Sequence, residues 1–185
     1  DYMVWQNAEN LSSRAVIVCD LISRGETDKE KAAYTDAVLE SALAVALYNL
    51  KNDCGSLISF YDADKGRSTD INTEHLSHLY GAAYKTATVR NYNGEPGYYS
   101  VCKQHFTDST QSTAVLITPH GDHKLAKLAE ELAAVSEVKI LLLGEAEKGV
   151  QRYLETLRNV AAAELDPFDI DAGIDDSVRK LYGKF

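Results

Sequence analysis

The sequence predicts an α/β fold, a three-layer α/β/α sandwich of Rossmann-like type around a mostly parallel sheet with one antiparallel edge strand. Three observations carry that expectation. Short apolar runs recur along the chain, at Ala15–Cys19, Ser56–Tyr61, Thr113–Thr118 and Val138–Leu143. Helical periodicity fills the stretches between them, the pattern of strands joined by crossover helices. Turn chemistry at Asp62-Ala63-Asp64-Lys65-Gly66 precedes Arg67–Ile71, so that segment reads as a short strand doubling back at the sheet edge.

Ala15–Cys19 is apolar throughout and ends at Asp20, as expected of a central strand buried on both faces. Thr27-Asp28-Lys29-Glu30 has capping-box spacing, in which the Thr27 hydroxyl and Glu30 carboxylate satisfy amides at a helix start. Leu39, Leu43, Ala46, Leu47 and Leu50 then share one helical face, and Gly55 lies past the end. Asn72 or Thr73 can cap the next helix, which runs through Tyr84 with Leu76, Leu79, Tyr80 and Ala83 inward. Asn91–Pro96 is a loop, followed by a short helix carrying Tyr98, Cys102 and Phe106. The strand at Thr113–Thr118 is stopped by Pro119, and Leu125, Leu128, Ala129 and Leu132 mark the helix after it. Val138–Leu143 ends at Gly144, and Val150, Tyr153, Leu154, Leu157, Val160 and Ala161 form a helical stripe. Beyond Glu164 the chain is acidic and irregular, with a helical turn or two expected over Asp175–Tyr182. No repeat, low-complexity tract or Pro/Gly-rich linker divides the chain. The expected organisation is a run-in over 1–13, one domain over 14–163 and an acidic tail over 164–185.

A chain of 185 residues fits one domain that buries roughly 70% of its unfolded surface. Hydrophobic content of 45% and charged content of 25% are those of a globular protein. No apolar run reaches the ~20 residues of a membrane-spanning helix, and no signal-peptide pattern opens the chain. It begins at Asp1 without a Met, so the expectation is a piece of a longer protein, with room upstream for a membrane or signal segment. A net charge of −9 argues against nucleic acid or an acidic membrane as partner. Cys19, Cys54 and Cys102 show no CxxC pairing, which points to a reducing, cytoplasmic setting. Asn10-Leu11-Ser12 fits a glycosylation sequon and is taken as a chance match in that setting.

The element order resembles the von Willebrand A fold, whose edge hairpin after the second strand simple Rossmann units lack. Val16-Ile17-Val18-Cys19-Asp20 looks like that family's first strand delivering the leading Asp of its metal motif. Ala114-Val115-Leu116-Ile117-Thr118 looks like its fourth strand. Over roughly Arg14 to Ala163 the resemblance is closest to the bacterial family called domain of unknown function 58. That family implies the soluble domain of a longer, often membrane-anchored chain, with a MoxR-type AAA ATPase as partner. Its relatives bind a metal ion through Asp-x-Ser-x-Ser and an Asp after the fourth strand. Here Asp20 stands in place, but Ile22 and Arg24 occupy the Ser positions, Ser23 is out of register, and Pro119 replaces the second Asp. A hard cation needs several well-placed oxygens. The resemblance therefore implies a degenerate metal-ion-dependent adhesion site, with no metal and no cofactor.

In open α/β sheets, ligands bind beyond the C-terminal ends of strands where strand order reverses. With the order 3-2-1-4-5, that crevice gathers Asp20, Ser23, Arg24, Thr118, His120 and Asp122 as a binding rim. Asp20 is expected to be neutralised by Arg24 or another local donor. Pro119-His120-Gly121-Asp122-His123 offers two imidazoles and a carboxylate, but zinc asks for three or four matched ligands, and Asp122 is a natural helix cap. His75 and His78 are three apart and read as surface residues. No GxSxG, SxxK, Walker-type or GxGxxG pattern occurs. The expectation is a non-catalytic protein-interaction module. Two alternatives stay open: a hydrolase or transferase using Asp20 with His120 or Asp122, and a domain whose job is to pack against an upstream half. A deep pocket of convergent polar groups would favour the enzyme, and a shallow rim the module.

Overall fold

A computed structural model describes residues 14–106 and 112–183; the expected run-in and its sequon lie outside them. Strands β1 (Ala15–Cys19), β2 (Ser56–Asp62), β3 (Arg67–Asn72), β4 (Thr113–Thr118), β5 (Val138–Leu143) and β6 (Val160–Leu165) form one sheet. Its order is β3-β2-β1-β4-β5-β6. Only β3 runs antiparallel, with Ile58 opposite Ile71. Central β1 pairs on both sides, Cys19 facing Phe60 of β2 and Ile117 of β4.

Alternation along the strands divides the core. Ile17, Cys19, Ile117, Leu141 and Leu143 face one layer, made by helices α1 (Asp28–Lys51), α2 (Leu76–Thr86) and α6 (Ile170–Tyr182). Val16, Val18, Leu116, Ile140 and Leu142 face α3 (Pro96–His105), α4 (His123–Ala133) and α5 (Val150–Thr156). The three-layer sandwich and its antiparallel edge are therefore as the sequence predicts. The capping box also forms, with Glu30 N–H donating to Thr27 Oγ1 at 3.2 Å and Glu30 Oε2 accepting from Thr27 and Glu26 amides.

Five local expectations need correction. Val160 and Ala161 are not the end of a helix but the start of β6, with Val160 opposite Val138. The helix stops early because Leu157 turns extended and Asn159 takes a φ of 65°; the same spacing then supplies a strand that covers the otherwise open β5 edge. The segment from 164 onward does not trail from the core: α6 buries Ile170, Val178 and Leu181. Lys139, buried in β5, ties it down by donating from Nζ to Leu181 O at 2.9 Å, a cation at a helix C-terminus. In α2 the inward residues are Ala82 and Thr86, while Leu76 and Tyr80 are exposed. Neither Asn72 nor Thr73 caps it: Asn72 Oδ1 accepts from Glu74 N–H, and Thr73 Oγ1 donates to Ser56 O. Finally, α1 turns Val38, Ala42, Val45 and Ala46 to the core and leaves Leu43, Leu47 and Leu50 half-buried, since small side chains let a helix lie close on a sheet. Among the described residues no helix is long and apolar enough to cross a membrane.

Candidate functional site

Strand order reverses between β1 and β4, and their C-terminal ends deliver Asp20 and Thr118 side by side. Asp20 N–H donates to Ile117 O at 2.9 Å, extending the ladder by one residue. Its carboxylate is only 1% exposed. Oδ2 accepts from the Thr118 hydroxyl at 2.7 Å and Oδ1 from the Ile22 amide at 3.0 Å. Thr118 Oγ1 in turn accepts from His120 N–H at 3.0 Å. His120 Nε2 lies 3.0 Å from Ile22 O; a carbonyl only accepts, so this ring nitrogen carries the proton. Burial pushes the Asp20 carboxyl up to about 6, against the Thr118 bond, the His120 ring and the Ile22 amide, which all pull it down. Burial, with the Asp20 charge adding to it, also drives the Tyr92 phenol well above its ordinary value.

Arg24 does not neutralise Asp20. It donates from Nη1 to Pro119 O and lays its guanidinium over the Tyr34 ring, 5.2 Å from the centroid. Gly144 lies beside the guanidinium at φ +96°, a backbone conformation that favours glycine. The local donors that Asp20 finds are instead Thr118 and Ile22. Ser23 donates its amide to Tyr92 O at 2.7 Å, while its hydroxyl is buried with no hydrogen-bond partner. Asp122 is the expected cap, accepting from Leu125 N–H at 2.9 Å. Gly121 is pressed against the loop after β5, where a Cβ would meet Ala146 at 2.7 Å. The structure thus brings all six rim residues to one end of the sheet, but ties most of their polar atoms to one another and to backbone.

Two hollows flank Arg24. The smaller, about 220 Å³, is lined by Arg24, His120, Asp122, Glu145 and Glu147. The larger, about 510 Å³, lies over the ends of β5 and β6 between Arg24, Tyr34, Glu145, Glu164, Asp166 and Phe168. Sequence reasoning missed this second hollow, because half of it comes from a segment expected to be a tail. An aromatic within the acidic run, Phe168 after Pro167, was the available signal.

Elsewhere, Ser59, His105 and Asp70 come together in a way the sequence does not announce. Ser59 Oγ donates to Asp70 Oδ1 at 2.6 Å, and His105 Nε2 lies 3.0 Å from the hydroxyl and 3.3 Å from the same carboxylate oxygen. A nucleophilic relay needs the hydroxyl on one ring nitrogen and the carboxylate on the other. Here both meet one nitrogen, and Ser59 is fully buried, so the trio ties α3 to the edge hairpin. The His75 and His78 rings stack edge-on at 5.1 Å on the exposed start of α2. Among the described residues no three His, Cys, Asp or Glu stand together as a metal site.

The sheet order, the antiparallel edge hairpin and the crevice between β1 and β4 define a von Willebrand A-like fold. The chain resembles the solved SpRpn10 VWA domain at 13% identity and a TM-score of 0.50, with 84% of this chain and 88% of that one covered. By sequence, it matches no described protein family and no curated protein.

Proposed function

We propose that this chain is a non-catalytic protein-interaction module with a degenerate metal-ion-dependent adhesion site. The observation that supports this reading is the state of Asp20. Its two oxygens accept from the Thr118 hydroxyl and the Ile22 amide, so protein donors hold the places a cation would take. Ile22, Arg24 and Pro119 supply no oxygen side chains in return. The hydrolase or transferase reading has the same geometry against it. Asp20 is sealed from solvent, Asp122 caps a helix, and the His120 ring is bound to a carbonyl. Following the sequence resemblance, the reading extends to the bacterial domain of unknown function 58 family. It places the chain in the cytoplasm, as the soluble part of a membrane-anchored protein, with a MoxR-type AAA ATPase as partner.

Two measurements test it. Calorimetric titration with Mg²⁺ and Mn²⁺, beside thermal melts in chelator, is expected to show no binding at millimolar metal. Ligand at a hundred times its dissociation constant adds about 2.7 kcal/mol, so a stability gain that vanishes in Asp20→Ala would restore a metal-bridged mechanism. Capture of a purified MoxR-type ATPase by the immobilised chain is expected, and its failure removes that partner.

A further inference from the structure

The hollow over β5 and β6 has a composition that its surroundings do not explain. We infer that it is a docking cleft for an arginine- or lysine-bearing segment of a partner protein, an inference that rests on the interaction reading above.

Charge is the first argument. Glu145, Glu164 and Asp166 line the cleft against the single cation Arg24. Arg24 turns its guanidinium to Pro119 O and the Tyr34 ring, and among the described residues none of the three carboxylates has an ion-pair partner within 4.0 Å. The cleft therefore carries a surplus of negative charge that a cationic guest would neutralise. A compact metal ion does not suit it, because the carboxylates are not gathered closely enough to share one. A long side chain with a delocalised or flexible charge does.

The aromatic wall is the second argument. Phe168 is 64% exposed, while its neighbours Leu165 and Ile170 are 5% and 7% exposed. A turn presents it: Asp166 Oδ1 accepts from Phe168 N–H at 2.9 Å. Its ring meets Tyr34 edge-on, with centroids 5.5 Å apart. Tyr34 already carries Arg24 on its face, so the protein itself shows how a guanidinium rides on one ring of this pair. Phe168 offers a second face of the same kind, exposed to solvent, and Arg, being planar and more weakly hydrated than an ammonium, stacks on aromatic faces more often than Lys. Volume does not stand against it, since about 510 Å³ is room enough for a small ligand and so for one long side chain.

The test titrates the full chain with a short, capped peptide of alternating arginine and glycine, and with its lysine and glutamate counterparts, following backbone amide shifts. The arginine peptide is expected to move Glu145, Glu164, Asp166 and Phe168 at the lowest concentration, the lysine peptide at a higher one, and the glutamate peptide not at all. Phe168→Ala and, separately, the pair Glu145→Gln with Glu164→Gln are each expected to weaken binding roughly tenfold. Gln151→Ala, in the separate hollow beside α5, is expected to leave it unchanged. Shifts absent at millimolar peptide, or surviving both cleft variants, overturn the inference. The ATPase capture repeated with Phe168→Ala separates the two readings. Undiminished capture overturns the cleft as the docking site and leaves the module standing. Peptide binding at the cleft without capture supports the cleft and removes only that partner.

Discussion

The crevice at β1 and β4 and the cleft at β5 and β6 lie at the same end of one sheet and share Arg24, yet their polar groups are in opposite states. In the crevice, Asp20 is buried and accepts from two donors, and the loops around it are bonded to each other. In the cleft, Glu145, Glu164 and Asp166 face solvent beside an exposed ring. A carboxylate that is enclosed and hydrogen-bonded has its bonding capacity already taken up inside the structure, whereas carboxylates left open beside an aromatic have bonding capacity to offer. The place that carries the recognisable sequence motif is thus the better place to look for changes in stability of either sign, and the neighbouring place for contact with a partner.

The largest expected effect is on the crevice side. Thr118→Val keeps the shape and removes the hydroxyl that donates to Asp20 Oδ2 and accepts from His120 N–H. A buried charge then loses one of its two bonds, and an amide loses its acceptor, a cost of about 2–4 kcal/mol. Chemical denaturation near pH 8 reads this directly. A loss below about 1 kcal/mol would mean that the crevice does not depend on the network.

Asp20→Asn tests the same carboxylate through pH. Its carboxyl is pushed up to about 6 from an ordinary value of 3.8, chiefly by burial. Between those values the folded chain holds the proton more tightly than the unfolded chain. Stability from this group is therefore fully present below about pH 4 and is lost as pH rises through about 6, a difference of about 3 kcal/mol at most. Asn carries no charge to lose, so the variant is expected to melt above the natural chain at pH 8, with the gap closing toward pH 4. A gap that stays constant across that range would show that Asp20 does not titrate as its burial demands.

Most of the sheet was legible because strand signals are local. Ala15–Cys19 and Val138–Leu143 are continuous apolar runs, and the Asp62–Gly66 turn announces the edge hairpin. Val160–Leu165 was not, since Val-Ala-Ala-Ala fits a helical stripe as well as a strand and only the open edge of β5 decides between them. Helix α6 was hidden by its own Asp171, Asp175 and Asp176, which face away while Ile170, Val178 and Leu181 are buried. In the crevice, Asp20 and Thr118 were legible from strand ends, but the direction of Arg24 was not. Its choice of Pro119 O and Tyr34 depends on residues 95 and 10 positions away, which no local pattern reveals. The cleft was illegible for the same reason, being assembled from α1, the turn after β5 and the turn after β6.

A smaller effect is expected at the wall the two regions share. Arg24→Lys keeps the charge but gives up the planar group that stacks on Tyr34 while reaching Pro119 O. The expected loss is about 1 kcal/mol, with Tyr34 and Phe168 moving in amide spectra more than Asp20 does. If Asp20 and Thr118 move most, Arg24 belongs to the crevice and the two regions are not independent.

The smallest effect is expected in the cleft itself. Glu145→Gln with Glu164→Gln removes two carboxylates that have no ion-pair partner among the described residues and that stand near Asp166. Surface changes of this kind stay within about 0.5 kcal/mol, and here the sign is set by repulsion, so a slight gain in stability is expected. Repulsion between solvated charges is screened over about 10 Å at 0.1 M salt, and the gain should shrink as salt is added. The Asp20→Asn gain has a different origin, the removal of charge from a site that water and counterions do not reach, and should survive the same salt. Melts of both variants at pH 8 across a salt series therefore distinguish the two regions in one experiment. If both gains respond to salt alike, Asp20 is more open than its burial indicates; if neither does, the cleft carboxylates are held by contacts other than solvent.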